Sequence, residues 1–221
     1  MRRPYTLGVG GPIIKEVDQE KDLGVLIARD MKPDKMVVVQ TQKAHLKLSQ
    51  FNSTFSYRGK TWMKMDTTYV KPSMLYACEA WRPTSQEGIE KLEAVQRRAI
   101  RMAGGLGAGS YREACRITGL NTIQEDLDEA DMVRAYRIMN GHDKLDKEVF
   151  WKMEEARPGV GRRRFKEKEV KRTVATQRKV VRKTSFASRV QDPWNQLHCD
   201  VKKAKNPRAF RAEYRKAKHL A

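Results

Sequence analysis

Residues 84–106, TSQEGIEKLEAVQRRAIRMAGGL, have the clearest helix pattern in this chain. Thr84 and Glu87 have the spacing of a capping box, in which each side chain bonds to a free backbone N–H at the start of a helix. The apolar residues that follow recur every three or four positions, so they line one face of an amphipathic helix. Gly104 and Gly105 stand where the end of a helix favours a left-handed backbone. The stretch therefore predicts a capped helix in a helical bundle.

The glycine-rich continuation, residues 104–110 (GGLGAGS), has two interpretations. Glycines before a helix can cradle a phosphate, but a dinucleotide-binding loop needs a strand in front of the glycines. Here a helix precedes them, and they do not end in the Gly-Lys-Ser/Thr of a P-loop. We therefore interpret the glycines as a connection between helices, with Ser110 capping a short helix that Gly119 ends.

The amino-terminal third predicts strands and then helices. Residues 5–17 (YTLGVGGPIIKEV) predict two short strands around a Gly-Gly-Pro turn, and residues 22–28 (DLGVLIA) predict a third. Apolar spacing over residues 37–55 predicts a long helix. A second helix is expected from about Lys60, with a break or kink at Pro72. Residues 73–81 (SMLYACEAW) form a nearly continuous apolar segment that we expect to be deeply buried.

Three further helix starts follow along the chain. Thr122 and Glu125 form a second capping box, and that helix is expected to end at Gly141. Asp-Pro at 192–193 and Asn-Pro at 206–207 have the cap-then-proline order of helix amino ends. The aromatic residues of this last part are costly to expose, so they should dock on the rest of the chain; they are Phe186, Trp194, Phe210 and Tyr214.

Together these patterns predict a mostly α fold. A short amino-terminal β-hairpin or small sheet (residues 1–30) is followed by a helical bundle (31–156), which the resemblance described below makes thumb-like, a basic linker (157–184) and a basic helical carboxyl-terminal extension (185–221). The linker lacks an apolar period.

The net charge of +19 indicates a polyanionic partner, of which nucleic acid is the commonest. Residues 157–221 hold 21 Lys/Arg and 5 Asp/Glu, whereas residues 1–156 hold 25 and 22. A solvated tail is the alternative interpretation of such a block, although its aromatic residues argue against a free tail.

Cysteine and histidine usage gives no metal-binding motif. The three cysteines are far apart and form no CxxC pair, which indicates a reducing compartment. His198 and Cys199 are adjacent, and two neighbours cannot easily form a tetrahedral site alone. No apolar run is long enough for a membrane helix, and the first residues lack the apolar region of a secretory signal. We expect no cofactor, no metal, no membrane association, and a cytoplasmic or nuclear location.

Residues 70–106, VKPSMLYACEAWRPTSQEGIEKLEAVQRRAIRMAGGL, resemble the segment that follows the polymerase palm in reverse transcriptases of non-LTR (LINE-type) retrotransposons. In that family a V-R/K-P…L-x-Y…W-x-P run leads into an L-E-x-V-Q-R-R helix and a Gly-Leu turn. Residues 20–33 (EKDLGVLIARDMKP) are similar to the end of the palm, and residues 131–146 to a later helix. Residues 186–216 resemble the family's terminal F-x-x-R-V…W-N-x-L-P segment. The resemblance covers about residues 5–216.

The resemblance implies the last palm hairpin, the thumb and the carboxyl-terminal extension of such an enzyme. His198 departs from the family, which has proline there, and Met74-Leu75-Tyr76 replaces Leu-Glu-Tyr. Polymerase activity in the family needs palm aspartates that hold two metal ions, and no Asp-Asp pair occurs in this sequence. We therefore expect a chain without catalytic residues.

We predict that the chain binds nucleic acid. The resemblance implies that thumb helices contact the template–primer backbone, which favours RNA or an RNA–DNA hybrid over DNA. Phosphate contacts of this kind position a protein without reading sequence. The candidate residues are Arg97, Arg98 and Arg101 on the capped helix, and Arg162, Arg163, Arg164, Lys171 and Arg172 in the basic stretch.

Two alternatives remain open at this point. A minimal polymerase or nuclease would need carboxylates, and those near the recognised motif are Glu79, Glu87, Glu90 and Glu93. Alternatively, the chain is an inactive product of a decayed element or a helical protein-interaction module, in which apolar segments form an exposed patch.

Overall fold

The computed structural model describes residues 5–6, 8, 11–56, 58–104, 109–153, 165–166 and 183–219. This part of the chain is mostly helical, with a two-stranded antiparallel sheet near the amino end, so the predicted fold class is confirmed. The helical elements are α1 (Asp34–Thr54), α2 (Lys60–Met65), a π-helical segment (Asp66–Val70), α3 (Lys71–Met74), α4 (Cys78–Trp81), α5 (Gln86–Met102), α6 (Tyr111–Thr118), α7 (Ile123–Met139), α8 (Lys147–Phe150), α9 (Phe186–Gln196), α10 (Cys199–Lys202) and α11 (Pro207–His219).

The amino-terminal hairpin pairs β1 (Gln19–Asp22) with β2 (Val25–Ala28) in antiparallel register. Leu23 and Gly24 form its two-residue turn with φ angles of 45° and 88°, and two positive values are typical of a type I′ turn. The strand predicted within residues 22–28 is present. The pattern does not predict β1, because its four side chains are all polar and exposed and therefore give no alternation.

The described residues between 5 and 17 form less sheet than the pattern of this segment predicts. In the described part of this segment the strand pairing is one isolated bridge between Thr6 and Ile13. One of the predicted turn residues, Gly10, lies outside the described residues. A second short pairing joins β3 (Lys152–Met153) to β4 (Phe165–Lys166), and β4 belongs to the stretch predicted as a linker.

The first core cluster lies where α1, α5 and the helices from Lys60 to Met74 pack together. Leu48 of α1, Trp62 of α2 and Leu92 of α5 are almost completely buried there. The indole Nε1 of Trp62 donates to the Ala99 carbonyl at 3.0 Å, which satisfies its polar end inside the core. The start of α7 closes this cluster with Leu127.

A second core cluster attaches the carboxyl-terminal helices to the later part of α7. The Tyr136 ring of α7 stacks on Phe210 of α11 with centroids 4.5 Å apart, and Phe210 in turn lies beside Trp194 of α9. The Tyr136 hydroxyl donates to the Ala204 carbonyl. This packing confirms the prediction that the aromatic residues of the last segment dock on the rest of the chain.

Six predicted helix ends are confirmed because their signals are local: three starts and three carboxyl ends. Ser110 accepts from the Glu113 N–H at 3.2 Å, and Thr122 forms the reciprocal capping box with Glu125. Asn206 accepts from the Ala209 N–H at 2.8 Å. The left-handed glycines are also found at helix ends, as expected; they are Gly104, Gly119 and Gly141.

Two predicted helix starts are wrong. The cap of α5 is Ser85, which accepts from the Gly88 N–H at 3.1 Å, and not Thr84. The third helical position after Ser85 is a glycine, so the reciprocal half of a capping box has no side chain to form it. Pro193 lies inside α9 rather than at its start. Burial of Val190 and Trp194, four residues apart on one helix face, holds the helix across the proline.

The expectations for residues 60–81 hold only in part. The π-helical segment leads directly into α3, and Pro72 sits in the first turn of α3, where its missing N–H costs least. Met74, Cys78 and Trp81 are buried as predicted, but Tyr76 is 54% exposed. None of the helices in the described ranges is both long and apolar enough to span a membrane.

Candidate nucleic-acid interface

Two segments without acidic residues meet in the fold. Residues 35–65 hold six Lys/Arg and no Asp or Glu, and residues 94–112 hold four Arg and no Asp or Glu. The first segment forms α1 and α2, and the second includes the carboxyl half of α5, which packs along α1. Positive charge is therefore concentrated on this helical surface, and neither segment contributes a carboxylate to it.

Arg98 joins the two helices at this surface. Its Nη1 lies 3.1 Å from Nδ1 of His45, and its Nη2 donates to the Ser49 hydroxyl at 3.2 Å. Burial and the Arg98 charge both lower the pKa of His45, so the imidazole is neutral and accepts the hydrogen bond. Among the described residues, no carboxylate forms an ion pair with Arg98. Its position is therefore fixed by neutral partners, and its charge is not neutralised by them.

Arg101 lies one turn further along the same helix. Its side chain is exposed, with Nε 3.5 Å from the Arg97 carbonyl. The neighbouring segment contributes two more cations, because the Gly59 N–H bonds to the Ala103 carbonyl at 2.9 Å and so places residues 58–60 against the end of α5. We call His45, Ser49, Arg58, Lys60, Arg98 and Arg101 the α1–α5 basic face.

Arg58 is held at the carboxyl end of α1. It donates to the Phe55 carbonyl at 2.9 Å and to the Asn52 side chain at 3.0 Å, and its guanidinium lies 5.0 Å from the centre of the Trp62 ring. A cation is favoured at a helix carboxyl end. Neither Arg58 nor Lys60 is among the predicted contact residues. The acid-free run over residues 35–65 is the sequence signal that could have found them.

Arg97, the third arginine predicted on α5, points elsewhere. Its guanidinium pairs with Glu90 and lies 5.1 Å from the centre of the Tyr111 ring. The structure therefore brings Arg98 and Arg101 together and directs Arg97 toward an internal partner. The other predicted residues lie outside the described part of the chain; they are Arg162, Arg163, Arg164, Lys171 and Arg172.

The carboxylates considered for catalysis have structural partners. Buried Glu93 accepts from the Tyr111 hydroxyl and from the N–H groups of Ile123 and Gln124, both at 3.1 Å, so it caps the start of α7. Burial first, and then the Glu93 contact, raise the pKa of Tyr111 and keep it protonated. The three other candidates form ion pairs with basic side chains; they are Glu79, Glu87 and Glu90.

Within the described ranges, one group of three possible metal ligands lies close together, namely His198, Cys199 and Asp200, with atoms within 4.8 Å of one another. His198 and Cys199 are the adjacent pair noted in the sequence, and Asp200 brings a third possible ligand atom close to them. The reason is helix capping, since Nδ1 of His198 accepts from the Asp200 N–H at 3.4 Å at the start of α10.

An arginine network that the sequence does not predict lies between α7 and α9. Asp131 accepts from Arg82 at 2.6 Å and from Arg189 at 2.7 and 2.8 Å. Burial lowers the pKa of Arg82, but the carboxylates of Asp131 and Asp128 outweigh it and leave the pKa above its usual value. These contacts neutralise part of the carboxyl-terminal charge internally.

Comparison of the chain with protein-family models, curated proteins and solved structures finds no match. The sequence pattern and the geometry of these surfaces are therefore what indicate a function for the chain.

Proposed function

We propose that this chain is a non-catalytic nucleic-acid-binding protein related to the post-palm region of non-LTR retrotransposon reverse transcriptases. It binds the backbone of RNA or of an RNA–DNA hybrid, and the α1–α5 basic face is its contact surface. The observation that supports this proposal is the meeting of two acid-free segments in one helical surface. The family relationship rests on the resemblance of the motifs.

The chemistry of the α1–α5 basic face suits phosphate contacts. Arg98 and Arg101 are three residues apart on one helix, which places them on neighbouring positions of its surface. Guanidinium groups bind phosphate through planar paired donors, and these two have no carboxylate competing for those donors among the described residues. Such contacts do not read base sequence, so the expected binding is strong in low salt and largely independent of sequence.

The experiment is a fluorescence-anisotropy titration of labelled RNA duplex, RNA–DNA hybrid and DNA duplex over about 50 to 200 mM salt. The Arg98→Gln/Arg101→Gln variant should bind more weakly and with a shallower dependence of log affinity on log salt. The slope should fall by about 0.7 to 0.9 for each phosphate that the variant no longer neutralises. Glutamine keeps hydrogen-bonding ability at both positions, so the fold should be retained.

The matched control is Arg116→Gln/Lys216→Gln. It removes the same number of charges, but each of these residues is already paired with a glutamate on its own helix, at 2.6 and 2.8 Å. We expect the control to bind nearly as well as the unmodified chain. Equal losses of nucleic-acid affinity in both variants would show a general effect of charge. An affinity that does not change with salt would exclude backbone binding altogether.

The predicted basic stretch is tested with the same titration. Replacing its five candidates by glutamine should also reduce the salt slope, because they are the second set of cations that the sequence assigns to phosphate binding. An unchanged slope would remove them from the proposal while leaving the α1–α5 basic face in it. The residues are Arg162, Arg163, Arg164, Lys171 and Arg172.

One observation favours the alternative of a protein-interaction module. The amino-terminal region exposes apolar side chains, including Ile13, Leu23 and Ile27 at 68%, 86% and 42% exposure. Exposed apolar groups in one region are typical of association surfaces. Light scattering of the purified chain separates the possibilities, since self-association would favour this alternative and a monomer would count against it.

A further inference from the structure

A small cleft lies between the segment before α5 and the segment before α9. Its volume is about 210 Å³, below the roughly 300–1,000 Å³ of drug-sized ligand sites, so it suits a single small group. Both segments contribute cations and hydroxyls, and α7 forms part of the wall. The lining residues are Arg82, Pro83, Thr84, Asp128, Lys183, Thr184 and Arg189.

The charges around the cleft leave a surplus of one cation. Arg82 binds both Asp128 and Asp131, and Arg189 also binds Asp131, so two guanidiniums face two carboxylates. Lys183 adds a third cation, and no described carboxylate forms an ion pair with it. A singly charged anion in the cleft would balance the set.

The two arginines are fixed before any ligand arrives. Arg189 also donates to the Glu79 carbonyl at 2.6 Å and to the Thr184 carbonyl at 3.1 Å. The Asp128 carboxylate is likewise held by Arg82 at 2.5 Å and by Gln124 at 3.1 Å. Groups fixed in this way lose little conformational entropy when a ligand binds.

The amino ends of α5 and α9 also favour a negatively charged ligand in the cleft. Thr84 and Thr184 each stand one residue before a cap serine, Ser85 of α5 and Ser185 of α9. The amino end of a helix has partial positive charge, which favours an anion nearby. Thr84 and Thr184 both line the cleft. A threonine hydroxyl such as that of Thr84 can donate a hydrogen bond to an anion's oxygen.

We propose that this cleft binds one phosphoryl group, with Lys183 as the ligand's charge partner and the Thr84 hydroxyl as an additional donor. The group is either inorganic phosphate or a phosphodiester of a bound strand, which share the same tetrahedral oxyanion chemistry. The site is separate from the α1–α5 basic face and does not depend on it.

The experiment measures inorganic phosphate binding by ³¹P NMR line broadening, with chloride added to hold ionic strength constant. Lys183→Gln should weaken binding about tenfold, the loss expected for one charge-assisted hydrogen bond. Lys183 is exposed, so the variant should fold; Arg82 and Arg189 are left intact because they hold Asp131. Lys205→Gln is the matched control, since it removes an exposed lysine away from the cleft lining.

Two results would overturn the proposal: no binding of phosphate to the unmodified chain, or equal weakening by Lys183→Gln and Lys205→Gln. The source of the phosphoryl group follows from adding labelled RNA at constant ionic strength. If phosphate competes with RNA, and Lys183→Gln abolishes this competition, the ligand is a phosphate of the strand. If added phosphate leaves the RNA affinity unchanged, the ligand is free phosphate. The Arg98→Gln/Arg101→Gln variant should bind inorganic phosphate normally, which keeps failure of the cleft distinct from failure of the basic face.

Discussion

The Asp131→Asn substitution removes the charge to which two partly buried arginines are bonded. Asp131 is 3% exposed and accepts from Arg82 at 2.6 Å and from Arg189 at 2.7 and 2.8 Å. These contacts join α7 to the segment before α5 and to α9. Asparagine keeps the shape but leaves the two guanidiniums without one of their carboxylates.

The expected loss of stability depends on the bonding partners that each arginine retains in the variant. Removing one partner of a buried ion pair typically costs about 3–5 kcal/mol. Arg82 retains Asp128 at 2.5 Å, and Arg189 retains two backbone carbonyls. Both side chains are also slightly solvated, at 12% and 19% exposure. We therefore expect a loss of about 3 kcal/mol, which lowers the melting temperature of a chain this long by about 6–12 °C.

Thermal and urea unfolding measure the loss, and limited proteolysis shows whether α9 is released first. The control is Asp143→Asn, because Asp143 binds Arg134 and Arg137, which are 39% and 43% exposed. Solvated partners of this kind should make the control loss smaller, about 1 kcal/mol or less. If Asp131→Asn costs no more than the control, the Asp131 network does not hold the carboxyl-terminal helices in place.

Two further predictions concern the bundle. Burial raises the pKa of Asp66 to about 6 from 3.8, and the Lys71 charge opposes this only in part; the ionised carboxylate therefore lowers stability as the pH rises from about 4 through 6. Asp66→Asn should stabilise the chain by about 3 kcal/mol above neutral pH and have little effect below about pH 4. Urea unfolding at both pH values measures this; an equal difference in unfolding free energy between variant and unmodified chain at the two pH values would contradict it. Ser85→Ala should cost about 1 kcal/mol through loss of the α5 cap, whereas Thr84→Ala should cost much less; equal losses in thermal unfolding would restore Thr84 as the cap.

Local signals explain which parts of the fold the sequence predicts. The caps at Ser110, Thr122 and Asn206 depend on contacts three residues apart, so their pattern is visible without tertiary structure. The helix across Pro193 is not predicted, because the burial of its apolar face against α7 overrides the local preference for a break. Strand β1 is missed because pairing with β2, and not its own composition, makes it a strand.

The sequence predicts the residues of the basic face and of the Asp131 network less well than it predicts the helices. Arg98 and Arg101 are found because they lie on a recognisable helix. Arg82 and Arg189, in contrast, are 49 and 58 residues from Asp131, and no spacing rule joins them. Their meeting depends on how α7 packs between distant segments, so only the folded chain shows it.

Total charge is therefore a poor guide to where this chain would bind a polyanion. The most basic part of the sequence, residues 157–221, contributes Arg189, Arg211 and Arg215 to buried carboxylates of α7. The α1–α5 basic face belongs instead to the nearly neutral first part, yet its own segments contain no acid. A guanidinium without a carboxylate partner can neutralise a phosphate, whereas a paired one must first lose its partner. Variants should consequently be ranked by the local balance of charge at each position, and not by the number of charges removed.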